Sequence, residues 1–402
     1  MKHKTGQDRS QTSTWRQATR AVRGGTWRSE MGETSEAIFV NSGYCYEDAE
    51  TPAARFAGQE PGMTYARTQN PTVMMLEERI ALMEGSETCR VQASGMSAMS
   101  SVLLSRLSMG DHLVMARAAF GPTLWITQNL LPRFGIETTL VDGRDLDAWK
   151  DAIRPNTKLF FFETPANPTM DIIDIRAVSD LAHEHGIEVA VDNAFASSAL
   201  QRPMDFGADV VAYSATKLMD GQGRVLAGAV CASHEWINKY LLPYQRNTGP
   251  ILAPFNAWVV LKGLETLDLR ANAQAQAALT VAQALEKRVP RILHPGLPSH
   301  PQHDLVKKQM KLAGSVFSFE IDGGRERAMA VLNALKLIDI SNNIGDAKSL
   351  MTHPASTTHS SISPEIRAAM GVSEGLLRIS VGLEDVQDLI DDLDQALDSV
   401  GF

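Results

Sequence analysis

A short apolar run that ends in small hydroxyl residues and a lysine, Val210-Val211-Ala212-Tyr213-Ser214-Ala215-Thr216-Lys217, decides the fold of this chain. A second apolar run, Val189-Ala190-Val191, ends at Asp192. A lysine amine can hold the aldehyde of pyridoxal phosphate (PLP) as a Schiff base, and a buried carboxylate can keep the pyridine nitrogen protonated. Taken singly, such residues are more often a surface lysine or a helix-capping aspartate. The pair, with each member closing an apolar run, predicts a PLP site.

Strand and helix patterns alternate from about residue 72 to 231. This alternation predicts an α/β fold with a largely parallel sheet covered on both faces. Strands are predicted at 113–115, 159–162, 189–191 and 210–212, and helices at 122–131, 146–153 and 175–185. Ligands of such sheets collect at the carboxyl ends of the strands. Glu163, Asp192 and Lys217 lie just beyond those ends.

The composition and periodicity of the sequence change after Gly249-Pro250. An alanine- and leucine-rich stretch from Phe255 to about Val289 predicts a linking helix, and the alternation over 315–320, with strand and helix patterns after it, predicts a smaller α+β domain. Residues 37–66 show little periodicity, and so long an irregular segment is expected to pack on a neighbouring subunit. We therefore predict an N-terminal intersubunit arm (1–66), a PLP-binding large domain (67–254), and a linking helix with a small domain (255–402).

Composition excludes several classes of protein. The 402 residues include 44% hydrophobic and 21% charged residues, as in soluble globular proteins, and the net charge of −9 argues against a nucleic-acid or anionic-membrane surface. Three widely spaced cysteines without a CxxC pair suggest neither a disulfide framework nor a zinc site, and they fit a reducing cytoplasm. The histidines of His183-Glu184-His185 lack the i, i+4 spacing of a metal motif, so no metal is expected.

Two further segments suit a phosphate group. Ser94-Gly95-Met96 precedes a helical stretch, where free backbone N–H groups can bind an anion, although a Ser-Gly pair is commonly only a helix cap. Ser214 and Thr216 can add hydroxyl donors. Tyr65-Ala66-Arg67 places a phenol and a guanidinium two residues apart, and the alternative there is a solvated arginine beside a packing tyrosine.

These motifs resemble those of the transsulfuration, or Cys/Met-metabolism, family of fold-type I PLP enzymes. The ordered matches run from about residue 37 to the C-terminus and include Tyr65-Ala66-Arg67, Ser94-Gly95-Met96, Glu163-Thr164-Pro165-Ala166-Asn167-Pro168, Val191-Asp192-Asn193, Ser214-Ala215-Thr216-Lys217, Lys348-Ser349-Leu350 and Arg378-Ile379-Ser380-Val381-Gly382. The resemblance implies a mostly parallel seven-stranded sheet in a large domain, with a smaller C-terminal α+β domain.

The resemblance also implies a role for each matching residue. Lys217 binds the cofactor covalently, Asp192 pairs with the ring nitrogen, and Asn167 lies near the ring hydroxyl. The phosphate is held by Gly95, Met96, Ser214 and Thr216, with Ser94 at the same helix start, and by Tyr65 and Arg67 of a neighbouring copy. The substrate carboxylate is bound by Arg378 with help from Ser349. A dimer is then the smallest active unit, and a homotetramer of two such dimers is expected.

One position departs from the pattern of the lyases in this family. Those relatives carry a tyrosine stacked over the cofactor ring, whereas this chain has Phe120, which keeps the stacking and loses the phenol. In having phenylalanine at this position, the chain resembles the branch of the family whose members replace the acyloxy group of O-succinylhomoserine with sulfide, giving homocysteine. A cystathionine γ-synthase, a γ-lyase and a non-catalytic PLP-binding scaffold are the alternatives.

Overall fold

The computed structural model describes Thr12, residues 14–360 and residues 362–402. The predicted N-terminal arm therefore falls partly outside the described residues. The larger sheet contains seven strands: β1 (Thr88–Gln92), β2 (His112–Ala116), β3 (Glu137–Val141), β4 (Thr157–Glu163), β5 (Glu188–Asp192), β6 (Val210–Ser214) and β7 (Gly228–Ala232). Their order is β1-β7-β6-β5-β4-β2-β3, and only β7 runs against its neighbours. The predicted α/β class with a mostly parallel seven-stranded sheet is confirmed.

The strands of this sheet are short and buried because helices cover both faces. On one face Trp149 packs against Phe160, with ring centroids 4.8 Å apart, while Leu159 and Phe161 belong to the core on the other face. The covering helices and those of the arm are Gln17–Arg23, Glu50–Phe56, Pro71–Glu84, Gly95–Arg106, Gly121–Trp125, Leu146–Asp151, Ile175–Glu184, Ser197–Leu200, His234–Trp236 and Leu242–Thr248. Burial on both faces explains why these strands read as continuous apolar runs in the sequence.

A second sheet of five strands follows: β8 (Arg291–Leu293), β9 (Val316–Glu320), β10 (Asp339–Ile340), β11 (Leu350–Thr352) and β12 (Leu376–Ser380), in the order β10-β11-β12-β9-β8. It packs against the helices Gly324–Ala334 and Val386–Ser399, and the second of these buries Leu389, Leu393 and Leu397 on one face. The other helices of this half are Pro254–Leu264, Leu267–Leu285, His303–Gln309 and Pro364–Ala369. The predicted smaller α+β unit is confirmed, whereas the residue boundaries of the three segments stay predictions.

Three predicted elements differ from the structure. The linking helix is two helices, Pro254–Leu264 and Leu267–Leu285, because the Gly263 carbonyl accepts a hydrogen bond from the buried Arg270 guanidinium (2.8 Å) where the helix breaks. The helix predicted at 122–131 is a short α-helix that continues as a π turn and a 3-10 turn to Phe134. The arm predicted as irregular contains the helix Glu50–Phe56.

A buried polar cluster forms between β6 and the end of the helix Pro71–Glu84. Tyr213 donates its phenol hydrogen to Glu84, and the amide of Asn193 donates to the Tyr213 oxygen at 3.0 Å. Burial raises the pKa of Glu84 to about 8, so the folded protein keeps a proton that the unfolded chain releases near pH 4.5. None of the helices in the described part of the chain is long and apolar enough to cross a bilayer.

We expect the Glu84→Gln variant to remove a pH dependence of stability. The free energy of unfolding of the unsubstituted protein falls as the pH rises from 4.5 toward 8, because only the unfolded chain readily loses this proton. Between these pH values the difference from the variant should change by on the order of a few kcal/mol. Urea unfolding at several pH values measures it, with the exposed Glu47→Gln as control. Parallel profiles for all three proteins would contradict the expectation.

Candidate active site

The carboxyl edge of the larger sheet places three functional groups together. β4 ends at Glu163, β5 at Asp192 and β6 at Ser214, and Glu163 and Asp192 are register partners on adjacent strands. A turn in which the Lys217 N–H donates to the Ser214 carbonyl (3.2 Å) then brings Lys217 to the same edge. Parallel strands align their ends, so residues far apart in sequence meet here.

A cavity of about 430 Å³ opens at this edge. It is lined by eleven of the residues that the sequence singled out: Ser94, Gly95, Met96, Phe120, Glu163, Asn167, Asp192, Ser214, Thr216, Lys217 and Arg378. The remaining three, Tyr65, Arg67 and Ser349, are not among the residues that line it. One chain thus supplies most of the predicted site.

Lys217 is half-buried in the cavity wall. Its Nζ donates to the side-chain oxygen of Asn343 at 2.5 Å. Burial, followed by the nearby Arg378 cation, lowers the pKa of Lys217 to about 8, while Asp192 acts in the opposite direction. About a tenth of this lysine is therefore the neutral amine at pH 7, far more than for an ordinary exposed lysine, and the neutral amine is the form that attacks aldehydes and accepts protons.

Asp192 is 6% exposed and accepts a hydrogen bond from the Ala194 N–H at 3.0 Å. Burial raises the pKa of Asp192 to about 7, and this backbone bond and Lys217 oppose the rise. A nearby cation stabilises the ionised form of a buried carboxyl group such as that of Asp192. A protonated pyridine nitrogen has the charge and the donor that Asp192 needs.

Another part of the cavity wall is a helix start. Ser94 caps the helix Gly95–Arg106 by accepting the Ser97 N–H at 3.1 Å, and the N–H groups of the first helical residues have no intrahelical acceptors. A side chain at position 95 would put its Cβ 2.5 Å from the Ser214 side chain, so only glycine allows this approach. Thr216 exchanges hydrogen bonds with the backbone of Ala227 (3.0 and 3.1 Å), and a phosphate would compete for its hydroxyl hydrogen.

Arg378, which comes from the second sheet, also lines the cavity. Its guanidinium donates to Asn167 Oδ1 and to the Asn342 carbonyl, each at 2.8 Å, and it is 3% exposed. The Arg378 Nε is buried and has no hydrogen-bond partner among the described residues. Burial lowers the pKa of Arg378 to about 10, so it stays cationic at neutral pH. A buried cation with a free donor suits a carboxylate ligand.

The structure gives Ser349 a different environment from the one expected. Its hydroxyl donates to Glu384 at 2.9 Å and accepts the Gly382 N–H at 2.8 Å. Asn343, which the sequence did not single out, lies beside Lys217 instead. The loop after β10 that carries Asn343 has no periodic pattern, so nothing in the sequence indicated its position. Glu163, which the sequence placed just beyond the end of an apolar run, lines the cavity together with Asp192.

Known proteins share this architecture over nearly the whole chain. The family described as Cys/Met metabolism PLP-dependent enzyme matches residues 18–398. The chain belongs to this family. An O-succinylhomoserine sulfhydrylase of Mycobacterium tuberculosis is 48% identical over 387 residues, which cover 95% of each chain. An L-methionine gamma-lyase of Porphyromonas gingivalis is 43% identical over 95% of this chain and 97% of the relative.

A solved structure from the same family supports the cofactor. A Campylobacter jejuni protein assigned as an O-acetylhomoserine (thiol)-lyase superimposes with a TM-score of 0.92 at 33% identity, over 96% of this chain and 100% of that one, and it contains a pyridoxyl-lysine monophosphate residue. The predictions of the family, of the fold-type and of PLP as cofactor are confirmed. The cavity of this chain fits that group, with an amine, a buried acid and a helix start in one enclosure.

We expect Lys217 to react as an amine with a lowered pKa in the cofactor-free protein. Reductive methylation with formaldehyde should modify Lys217 with a midpoint near pH 8, because the neutral amine is the reactive form. Replacing Arg378 with methionine should raise the midpoint, and Asp192→Asn should lower it. Peptide mass spectrometry measures the rates, with exposed Lys307 as an internal reference. A Lys217 midpoint that ignores both substitutions would contradict the assigned electrostatics.

Proposed function

We propose that this chain replaces the γ-acyloxy group of an activated homoserine ester, O-succinylhomoserine first, with sulfide, giving homocysteine and succinate as in methionine biosynthesis. One observation carries the proposal: the Lys217 amine lies in a cavity between the acid Asp192 and the cation Arg378. The 48% identity to an O-succinylhomoserine sulfhydrylase supports the choice of reaction. The reaction is a transfer of the EC 2.5.1 type.

The residues divide the work as follows. Bound PLP supplies an electron sink for negative charge at the substrate α-carbon. Asp192 holds the ring nitrogen cationic, and Arg378 fixes the substrate carboxylate. Lys217 would hold the cofactor through its side-chain amine, and the same amine, when free, would remove the α proton and then a β proton of the substrate. Succinate departs from the γ-carbon with the bonding electron pair, sulfide forms the new C–S bond, and Lys217 returns the protons.

Phe120 lines the cavity, at the position where the family resemblance implies a stacking tyrosine in the lyases. Its ring can cover the cofactor by stacking and has no exchangeable proton. Proton transfer near the α-carbon therefore falls to Lys217, whose pKa of about 8 suits it for both removal and return near neutral pH.

Product analysis tests the proposal directly. We expect O-succinylhomoserine with sulfide to give homocysteine and succinate, and Lys217→Ala to abolish turnover. Cystathionine formed from cysteine in preference to homocysteine would make the chain a cystathionine γ-synthase. A thiol and an oxoacid formed from methionine would favour the γ-lyase, whose 43% identical relative makes it the second candidate. Borohydride-fixed cofactor without turnover of any ester would favour a non-catalytic scaffold.

We expect Asn343, rather than Ser349, to act with Arg378 at the substrate carboxylate. The Asn343 side chain contacts Lys217 in the cavity, and its carbonyl lies 3.5 Å from Arg378, whereas the Ser349 hydroxyl is engaged by Glu384. Asn343→Ala should raise KM for the ester about tenfold, as for loss of one hydrogen bond to a charged group. Ser349→Ala should lower thermal stability and leave KM nearly unchanged. Steady-state kinetics with melting curves separates the two, and the reverse pattern would restore the role first expected for Ser349.

The positions of Tyr65 and Arg67 support an active site shared between two copies of the chain, which we propose assemble as a homotetramer of two dimers. Tyr65 is 44% exposed, Arg67 is exposed, and Arg67 donates to the Arg246 carbonyl away from the cavity of its own chain. Their expected phosphate contact therefore needs a second copy.

Free cysteines, one of them the exposed Cys45, agree with the proposed cytoplasmic location.

Mixing two inactive variants tests the shared site. Lys217→Ala and Arg67→Ala chains, unfolded together and refolded, should regain about a quarter of the active sites, because half of the dimers are mixed and each has one intact site. Activity assays measure the recovery, and each variant refolded alone is the control. Recovery no greater than in the controls would place Arg67 outside the neighbouring site.

A further inference from the structure

The carboxyl group of Glu163 joins two loops that line the cavity. Glu163 is the last residue of β4 and is 2% exposed. Its Oε2 accepts the Phe120 N–H at 2.8 Å, and its Oε1 accepts the Asn167 N–H at 3.1 Å. The loop after β2 and the loop after β4 are therefore held at one carboxyl group.

The second of these contacts continues to the substrate end. Asn167 Oδ1 accepts a hydrogen bond from Arg378 at 2.8 Å. A continuous path thus runs from the Phe120 backbone through Glu163 and Asn167 to the guanidinium of Arg378. All four of these residues line the same cavity. Movement of this carboxyl group would shift both the stacking ring and the cation.

The charge on Glu163 is set by its neighbour. Asp192 is its register partner on β5, and both side chains are buried at the sheet edge. Burial and then the charge of Asp192 raise the pKa of Glu163 well above its usual range, while its two backbone hydrogen bonds and Arg378 oppose the rise. Two adjacent buried acids cannot both ionise readily, so the negative charge resides on Asp192.

We propose that Glu163 is a positioning residue of this site: its carboxyl group fixes the Phe120 ring over the bound cofactor and, through Asn167, holds Arg378 at the substrate carboxylate. The inference rests on the proposed occupation of the cavity by PLP and substrate. Glu163 itself contacts no reacting atom in this assignment. It determines where the groups that do so are held.

Glutamine is the sharpest substitution because it keeps the size of the side chain. Its amide nitrogen must face either the Phe120 N–H or the Asn167 N–H, so one hydrogen bond is replaced by two opposed donors. Glu163→Gln should raise both the PLP dissociation constant and KM for the homoserine ester about tenfold. The visible circular dichroism band of bound PLP should also change, since it depends on the ring's surroundings. Glu163→Asp, too short to reach both loops, should share these changes and serves if the glutamine variant does not fold.

Asp392→Asn is the matched control. Asp392 is also buried, and its two carboxylate oxygens accept backbone N–H groups of residues 336–338 at 2.8 to 3.0 Å, in the second sheet's helical layer. The Asp392→Asn variant should have a lower melting temperature but an unchanged PLP affinity and an unchanged visible dichroism. Glu163 variants that only lose stability, as this control does, would overturn the proposal. Dichroism and PLP affinity are measured without substrate, so they remain decisive if another ester, or none, is turned over.

Discussion

Burial of Asp192 and Lys217 in one cavity is the constraint on which the site depends. Removing both groups from water disfavours charge on each, which raises the pKa of the acid to about 7 and lowers that of the amine to about 8. A cofactor with a basic ring nitrogen and an aldehyde satisfies both groups at once, because it offers a cation to the acid and an electrophile to the amine. The shifted pKa values of Asp192 and Lys217 therefore match the two functional groups of PLP, its ring nitrogen and its aldehyde.

The rest of the larger sheet serves to bring these two groups together. β5 and β6 are adjacent and parallel, so Asp192 and the turn before Lys217 reach the same edge. Gly95 lets the helix start approach Ser214 closely, and Gly228 permits a similar approach, since a Cβ there would lie 2.1 Å from the Ser94 carbonyl oxygen. Acid, amine and anion-binding N–H groups are thereby fixed on rigid elements.

The sequence was sufficient for features that depend on local patterns. Buried strands between helices are continuous apolar runs, and Asp192 and Lys217 follow such runs directly, so fold class, cofactor and most lining residues could be predicted. Contacts made through irregular loops could not. Asn343 lies in a loop without periodicity, and the engagement of Ser349 by Glu384 is a tertiary contact between residues 35 positions apart. The break after Gly263 likewise depends on Arg270 packing against a distant turn at Leu218.

The same division explains why chemistry was easier to predict than substrate. The groups proposed to hold the cofactor come from strand ends and a helix start of the larger sheet, whereas those proposed to face the substrate, Arg378 and the loop of Asn342 and Asn343, come from the second sheet. Ser318 of that sheet donates to the Pro168 carbonyl at 2.6 Å, which ties it to the loop of Asn167. Small shifts between the sheets would move the substrate groups and leave the cofactor groups in place. The relatives of this chain accordingly include proteins named for different reactions, a sulfhydrylase and a lyase.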